Sequence, residues 1–206
     1  LEVIWPRAGV LVLVGGGGGY WYPWLDWRFG PVVGDIARPG GWWPYYWGSN
    51  GGRLLAFTVE NAGAPEWVSE VDLTANGWWN FSKVSVADGL AYLTHTLAEP
   101  APPLAVFDAT SGEWRTNNAP DWLWVQRSFL DVIDYGDPTE PVVRRPIETL
   151  GGLAGVSPDG AVIYTVGARW QPTADWQNDY TEWLDASAYD GVSLHLVDSV
   201  KLPGYW

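Results

Sequence analysis

The segment Phe129–Gly167 constrains the fold most, because it reads as short strands joined by tight turns and the rest of the chain repeats it. FLDVIDY alternates apolar and polar residues, GDPTEP is a turn of Gly, Asp and Pro, and VVRRPIE is a further strand. GLAGVS and AVIYTVG then form a hairpin across Pro158-Asp159-Gly160. Strands of this length separated by such turn residues predict an antiparallel all-β unit.

Aligning that unit with the remainder gives three copies, about 1–74, 75–149 and 150–203, within a single domain of 206 residues. First strands are expected at Glu2–Trp5, Phe81–Val86 and Leu153–Ser157. Second strands are expected at Val10–Val14, Leu90–Thr94 and Val162–Val166. Gly9, Gly89 and Gly160 stand just before the second strands, and the last two follow Asp, a strong hairpin signal. Third strands are expected at Leu54–Val59, Leu130–Tyr135 and Leu184–Tyr189, and fourth strands at Glu66–Leu73, Val142–Glu148 and Ser193–Leu202. The turn between third and fourth strands is Glu60–Pro65 in the first copy and Gly136–Pro141 in the second. It shortens to Tyr189-Asp190-Gly191 in the third.

Four antiparallel strands per repeat describe a blade of a β-propeller. LDVIDYGDPTEPVVRRPIE followed by GLAGVSPDGAVIYTVG resembles the repeat of secreted bacterial β-propeller proteins with LVIVP-like repeats. That resemblance implies a propeller fold and a secreted or cell-surface setting; it carries no catalytic residue. The expected fold is therefore all-β, a propeller-type repeat of about three four-stranded blades. A ring needs about four blades. Three leave two open edges, so the chain is expected either to be part of a larger propeller or to assemble with other chains. The start at Leu1 rather than Met fits a processed product or a fragment. The competing fold is a β-sandwich.

Each copy carries an insertion between its second and third strands, at about 15–53, 95–128 and 168–183. Because successive strands run antiparallel, all three insertions are expected on one face. Insertions at one equivalent point of a repeat often build a binding surface. The first holds eleven aromatic residues between Tyr20 and Trp47. Trp and Tyr suit stacking on sugar rings or gripping a protein. The expected ligand-binding residues are Trp21, Trp24, Trp27, Trp42, Trp43, Tyr45, Tyr46 and Trp47 in the first insertion. Trp122 and Trp124 are their counterparts in the second, and Trp170 and Trp176 in the third. The alternative is that these rings pack on one another as a local core. LAVFDATSGEW, in the second insertion, reads as an extra short strand with a Ser-Gly turn.

His95 is expected at the mouth of the second insertion, at the end of a strand. With no placeable partner it reads as a structural residue, the alternative being a ligand or base. His195 is expected in an outer strand, solvated or packed. Asp175, Asp179 and Glu182 cluster in the third insertion and are candidate Ca²⁺ ligands, although their spacing is not that of an EF-hand. No other cofactor is implied. Sequence signatures of serine hydrolases, zinc proteases and dinucleotide binding are missing.

A net charge of −13, with 11 basic residues and no basic run longer than Arg144-Arg145, argues against nucleic acid. The chain has no cysteine and no apolar run near 18 residues, so disulfides and a membrane-spanning helix are not expected. The leading expectation is a non-catalytic propeller binding a protein or glycan through its aromatic loops. The alternatives are a building block of an extracellular assembly and a polysaccharide hydrolase or lyase using Asp26, Asp35, Asp175 and Glu182.

Overall fold

Asp88 and Gly89 both adopt positive φ, 47° and 79°, between the paired residues Ala87 and Leu90. A two-residue turn of this kind matches the right-handed twist of the strands that it joins. The first-to-second connections of the other two sheets also carry a positive-φ glycine, Gly9 at 75° and Gly160 at 72°, the latter in a longer turn. The computed structural model describes residues 2–16, 52–59, 64–73, 78–79, 84–120, 123–169 and 181–203. Every regular element among them is a strand.

The first sheet is β1 (Glu2–Arg7), β2 (Val10–Gly16), β3 (Gly52–Thr58) and β4 (Glu66–Asp72), in that order and antiparallel. The second is centred on two 11-residue strands, β7 (Leu90–Pro100) and β10 (Trp124–Asp134). Each outer position of that sheet is split. β5 (Trp78–Trp79) and β6 (Ser85–Ala87) both pair with β7, and β11 (Val142–Val143) and β12 (Ile147–Thr149) both pair with β10. The break between β11 and β12 spans Arg144-Arg145-Pro146, where proline lacks the N–H that a ladder needs. Between β7 and β10 in the chain, β8 (Leu104–Asp108) and β9 (Glu113–Asn117) form a two-stranded sheet of their own. The third sheet is β13 (Gly152–Val156), β14 (Val162–Ala168), β15 (Glu182–Tyr189) and β16 (Leu194–Lys201), again in chain order.

The sheets stack face to face. Val10, Val12, Val14, Leu54 and Ala56 of the first pack against Ala91, Leu93 and Ile133 of the second. From the opposite face of the second sheet, Tyr92, Leu130 and Val132 pack against Leu153 and Ile163 of the third. Period-two alternation makes this possible, since odd and even residues of one strand point to opposite faces. Each such fully buried Val, Leu or Ile contributes about 1.5–3 kcal/mol. The middle sheet is thus covered on both faces, an arrangement of three layers rather than the two of a sandwich.

Polar bonds fasten each sheet to the next. Arg7 Nη1 donates to the Gly136 carbonyl at 2.6 Å and Ser69 Oγ to the Pro138 carbonyl at 2.6 Å, both in the Gly136–Pro141 turn of the second sheet. Arg144 Nη1 likewise reaches the Gly191 carbonyl at 3.4 Å, and its Nη2 is paired with Asp134 at 2.8 Å. Leu153 N donates to Thr94 Oγ1 at 3.2 Å.

The expected strands recur with changed ends. The ladder of the second sheet runs on to Pro100 and Trp124, so the second insertion is shorter than 95–128, and His95 lies within a strand rather than at its end. Of the expected strand Phe81–Val86, residues 81–83 lie outside the described set.

Candidate binding face

β8 and β9 extend beyond the second sheet from the long β7–β10 pair, which Ala101 N prolongs by donating to the Leu123 carbonyl at 2.9 Å. The turn between them is made by Asp108. Its Oδ1 accepts from Thr110 N at 2.9 Å, and its carbonyl accepts from Gly112 N at 2.8 Å. The Thr110 backbone N–H, with further donors from Ser111, holds the Asp108 carboxyl below the usual range. Arg115 pairs with it at 3.0 Å. This register places Phe107 directly across from Trp114. Their rings meet edge to face, with centroids 5.5 Å apart and planes at 60°. They remain open to solvent, 50% and 71% exposed, and Trp124 is 56% exposed. A groove of about 460 Å³ runs along the hairpin beside Phe107, Arg115 and Thr116.

Below the hairpin, a cleft of about 670 Å³ opens between the second and third sheets, lined by Glu99, Gln126, Arg127, Glu148 and Arg169 among others. Arg127 grips Glu148 with two nitrogens at 2.8 and 2.6 Å and reaches Glu99 at 3.2 Å. These bonds hold the Glu148 carboxyl low. Arg169 donates to Asp185 at 3.0 Å and to Ser199 Oγ at 2.6 Å, and lies 4.3 Å over the Trp183 ring. Both guanidiniums already have carboxylate partners. The cleft therefore offers hydrogen-bonding groups rather than a cationic pocket for phosphate.

Sequence reasoning found no partner for His95, and the structure supplies one. Its Nδ1 donates to Asp131 Oδ2 at 2.5 Å, with the residues 3% and 0% exposed. His95 also stacks on Phe129, with ring centroids 5.2 Å apart, and Arg127 caps the other ring system at 5.4 Å from the Phe129 centroid. His95 and Asp131 share the face turned to the first sheet, so the pair is a bridge inside the stack, not a base facing solvent. Asp185 holds the station equivalent to Asp131 in the third sheet and takes Arg169 instead. The visible signal was an Asp in the middle of an apolar strand, which burial obliges to find a partner. His195 is exposed, as expected, beside Ser193 Oγ at 3.0 Å and Asp190 at 3.3 Å.

Of the expected site residues, Trp124 is described and exposed. Glu182 begins β15, exposed, opposite Ala168. Trp21, Trp24, Trp27, Trp42, Trp43, Tyr45, Tyr46, Trp47, Trp122, Trp170, Trp176, Asp175 and Asp179 lie outside the described residues, as do Asp26 and Asp35. Among the described residues no group of three or more His, Asp or Glu is placed to hold a metal ion. No helix among them is long and apolar enough to cross a membrane. Neither a protein-family model nor a curated protein sequence matches the chain.

Proposed function

We propose that the chain is a non-catalytic, secreted or cell-surface segment of β-propeller type that binds a glycan or protein through aromatic side chains at its insertion end. One observation carries this reading: Phe107 and Trp114 pair on a hairpin that belongs to none of the three stacked sheets, yet both stay open to solvent. Cross-strand pairing steadies the two rings on the hairpin, and rings left exposed in this way are suited to stacking on a sugar or anchoring in a partner. The stack of three sheets with one strand order supports the propeller reading, and the repeat resemblance supports the secreted setting.

The test is affinity electrophoresis of the intact chain in gels cast with a panel of soluble plant and bacterial polysaccharides. Retardation that disappears in the Phe107→Ala/Trp114→Ala variant, with its urea midpoint unchanged, supports the site. Retardation that survives in that variant removes the hairpin from the proposal. If no polysaccharide retards the parent chain, the glycan half is discarded.

A further inference from the structure

We propose that the outer face of the third sheet docks on the outer face of the first sheet of a second copy of this chain, head to tail, so that two copies close a ring of six sheets. This rests on the propeller-type reading of the stack and is independent of the aromatic hairpin.

The strand registers define equivalent stations. Val12 and Val14 of β2, with Leu54 and Ala56 of β3, form the face that the first sheet turns to the second. The same stations in the second sheet are Tyr92, Thr94, Leu130 and Val132, and they face the third. In the third sheet they are Tyr164, Val166, Leu184 and Ala186, still apolar, but now turned away from the stack. Tyr164 and Val200 are exposed there. The receiving stations show the converse. Leu93 and Ile133 in the second sheet, and Ile163 in the third, are buried against the preceding sheet. In the first sheet the receiving stations are Leu11, Leu13, Leu55 and Phe57, with exposed Val3, Trp5 and Trp67 on the same sheet.

Both internal interfaces therefore join the forward face of one sheet to the receiving face of the next. Among the described residues, neither the forward face of the third sheet nor the receiving face of the first packs against another sheet. A second copy carries the complement of each. Contacts of this heterologous kind close into rings or run on as filaments. Twice three sheets falls within the range of about four to eight found in closed rings. Large uncovered apolar sheet faces otherwise favour aggregation. Each copy carries a net charge of −13, so salt should strengthen the joint by screening repulsion.

The experiment is native mass measurement on the intact chain, with two face variants. Tyr164→Asp disables the forward face and Leu13→Asp the receiving face. The parent should run at twice 22.8 kDa, with more dimer as NaCl rises. Either variant alone should associate at least about 30-fold more weakly, as expected for a charge placed in the centre of an interface. An equimolar mixture should regain a dimer, because each variant retains the face that the other lacks. A parent that stays monomeric at high concentration overturns the proposal. So does self-association of one variant alone as tight as the parent's, which would mean a face pairing with its own like. So does growth beyond the dimer, which would mean that the ring does not close. If a variant loses its unfolding transition, Val200→Asp and Trp5→Asp, at exposed positions on the same two sheets, take their places with the same outcomes.

Discussion

Replacing Tyr92 with phenylalanine should make the protein more stable. Tyr92 is fully buried between the second and third sheets, and its hydroxyl has no hydrogen-bond partner among the described residues. The ring itself is well held, edge-on to Tyr189 at 6.2 Å. A desolvated hydroxyl left unpaired costs about 1–3 kcal/mol. Removing it vacates less than a methylene's volume, a loss under about 1 kcal/mol. The net gain is about 1 kcal/mol, or a rise of about 2–4 °C in Tm for a chain of this size. Burial, aided by the neighbouring Tyr189, also pushes the Tyr92 hydroxyl up from 10.0 to about 12. A folded pKa above the unfolded one stabilises fully below pH 10, and that contribution is lost as pH rises from 10 to about 12. Over that window the parent should lose roughly 3 kcal/mol that the Tyr92→Phe variant does not. Urea unfolding of both proteins at pH 7, and at steps up to pH 12, tests both parts. A variant less stable by 1 kcal/mol or more at pH 7, or alkaline profiles that superimpose, would show that the hydroxyl is satisfied and the reasoning wrong.

The His95–Asp131 bridge gives a second prediction. Either single alanine substitution strands a buried partner and should cost about 3–5 kcal/mol, while the double replacement by apolar residues should cost well below the sum; a double-mutant cycle in urea measures this, and strict additivity would refute the coupling. Gly167→Ala should be severely destabilising for a steric reason, since its Cβ would lie 2.5 Å from the Leu150 carbonyl oxygen and 2.8 Å from Gly151 Cα. Gly89→Ala meets nothing within 4 Å and bears only the strain of φ +79°, about 1 kcal/mol. Equal losses in the two variants, read from thermal melts, would contradict the close approach.

Much of the scaffold was legible because its signals are local. Asp88-Gly89 and Pro158-Asp159-Gly160 mark hairpins by backbone preference alone, and alternation in LDVIDY marks a strand whose two faces are both covered. What escaped depends on register across strands. THTLAEP mixes polar and apolar residues without turn chemistry, so the continuation of β7 to Pro100 shows only once Arg127 and Gln126 are seen opposite it. Asp131 is registered opposite Leu93, and His95 reaches it diagonally, a relation fixed by the β7–β10 register over 36 positions of sequence separation. Phe107 and Trp114 were readable as strand residues, but their meeting is set by the length of the Asp108–Gly112 turn.

The fasteners between sheets also have a direction in time. Arg7 and Ser69 precede the Gly136–Pro141 turn that they hold, and Arg144 precedes Gly191. A chain made from its N-terminus therefore displays each clasp before the turn that fits it. The finished first sheet serves as a template for the second, and the second for the third. Assembly can thus proceed one sheet at a time as the chain emerges, each new turn seating on a surface that is already waiting.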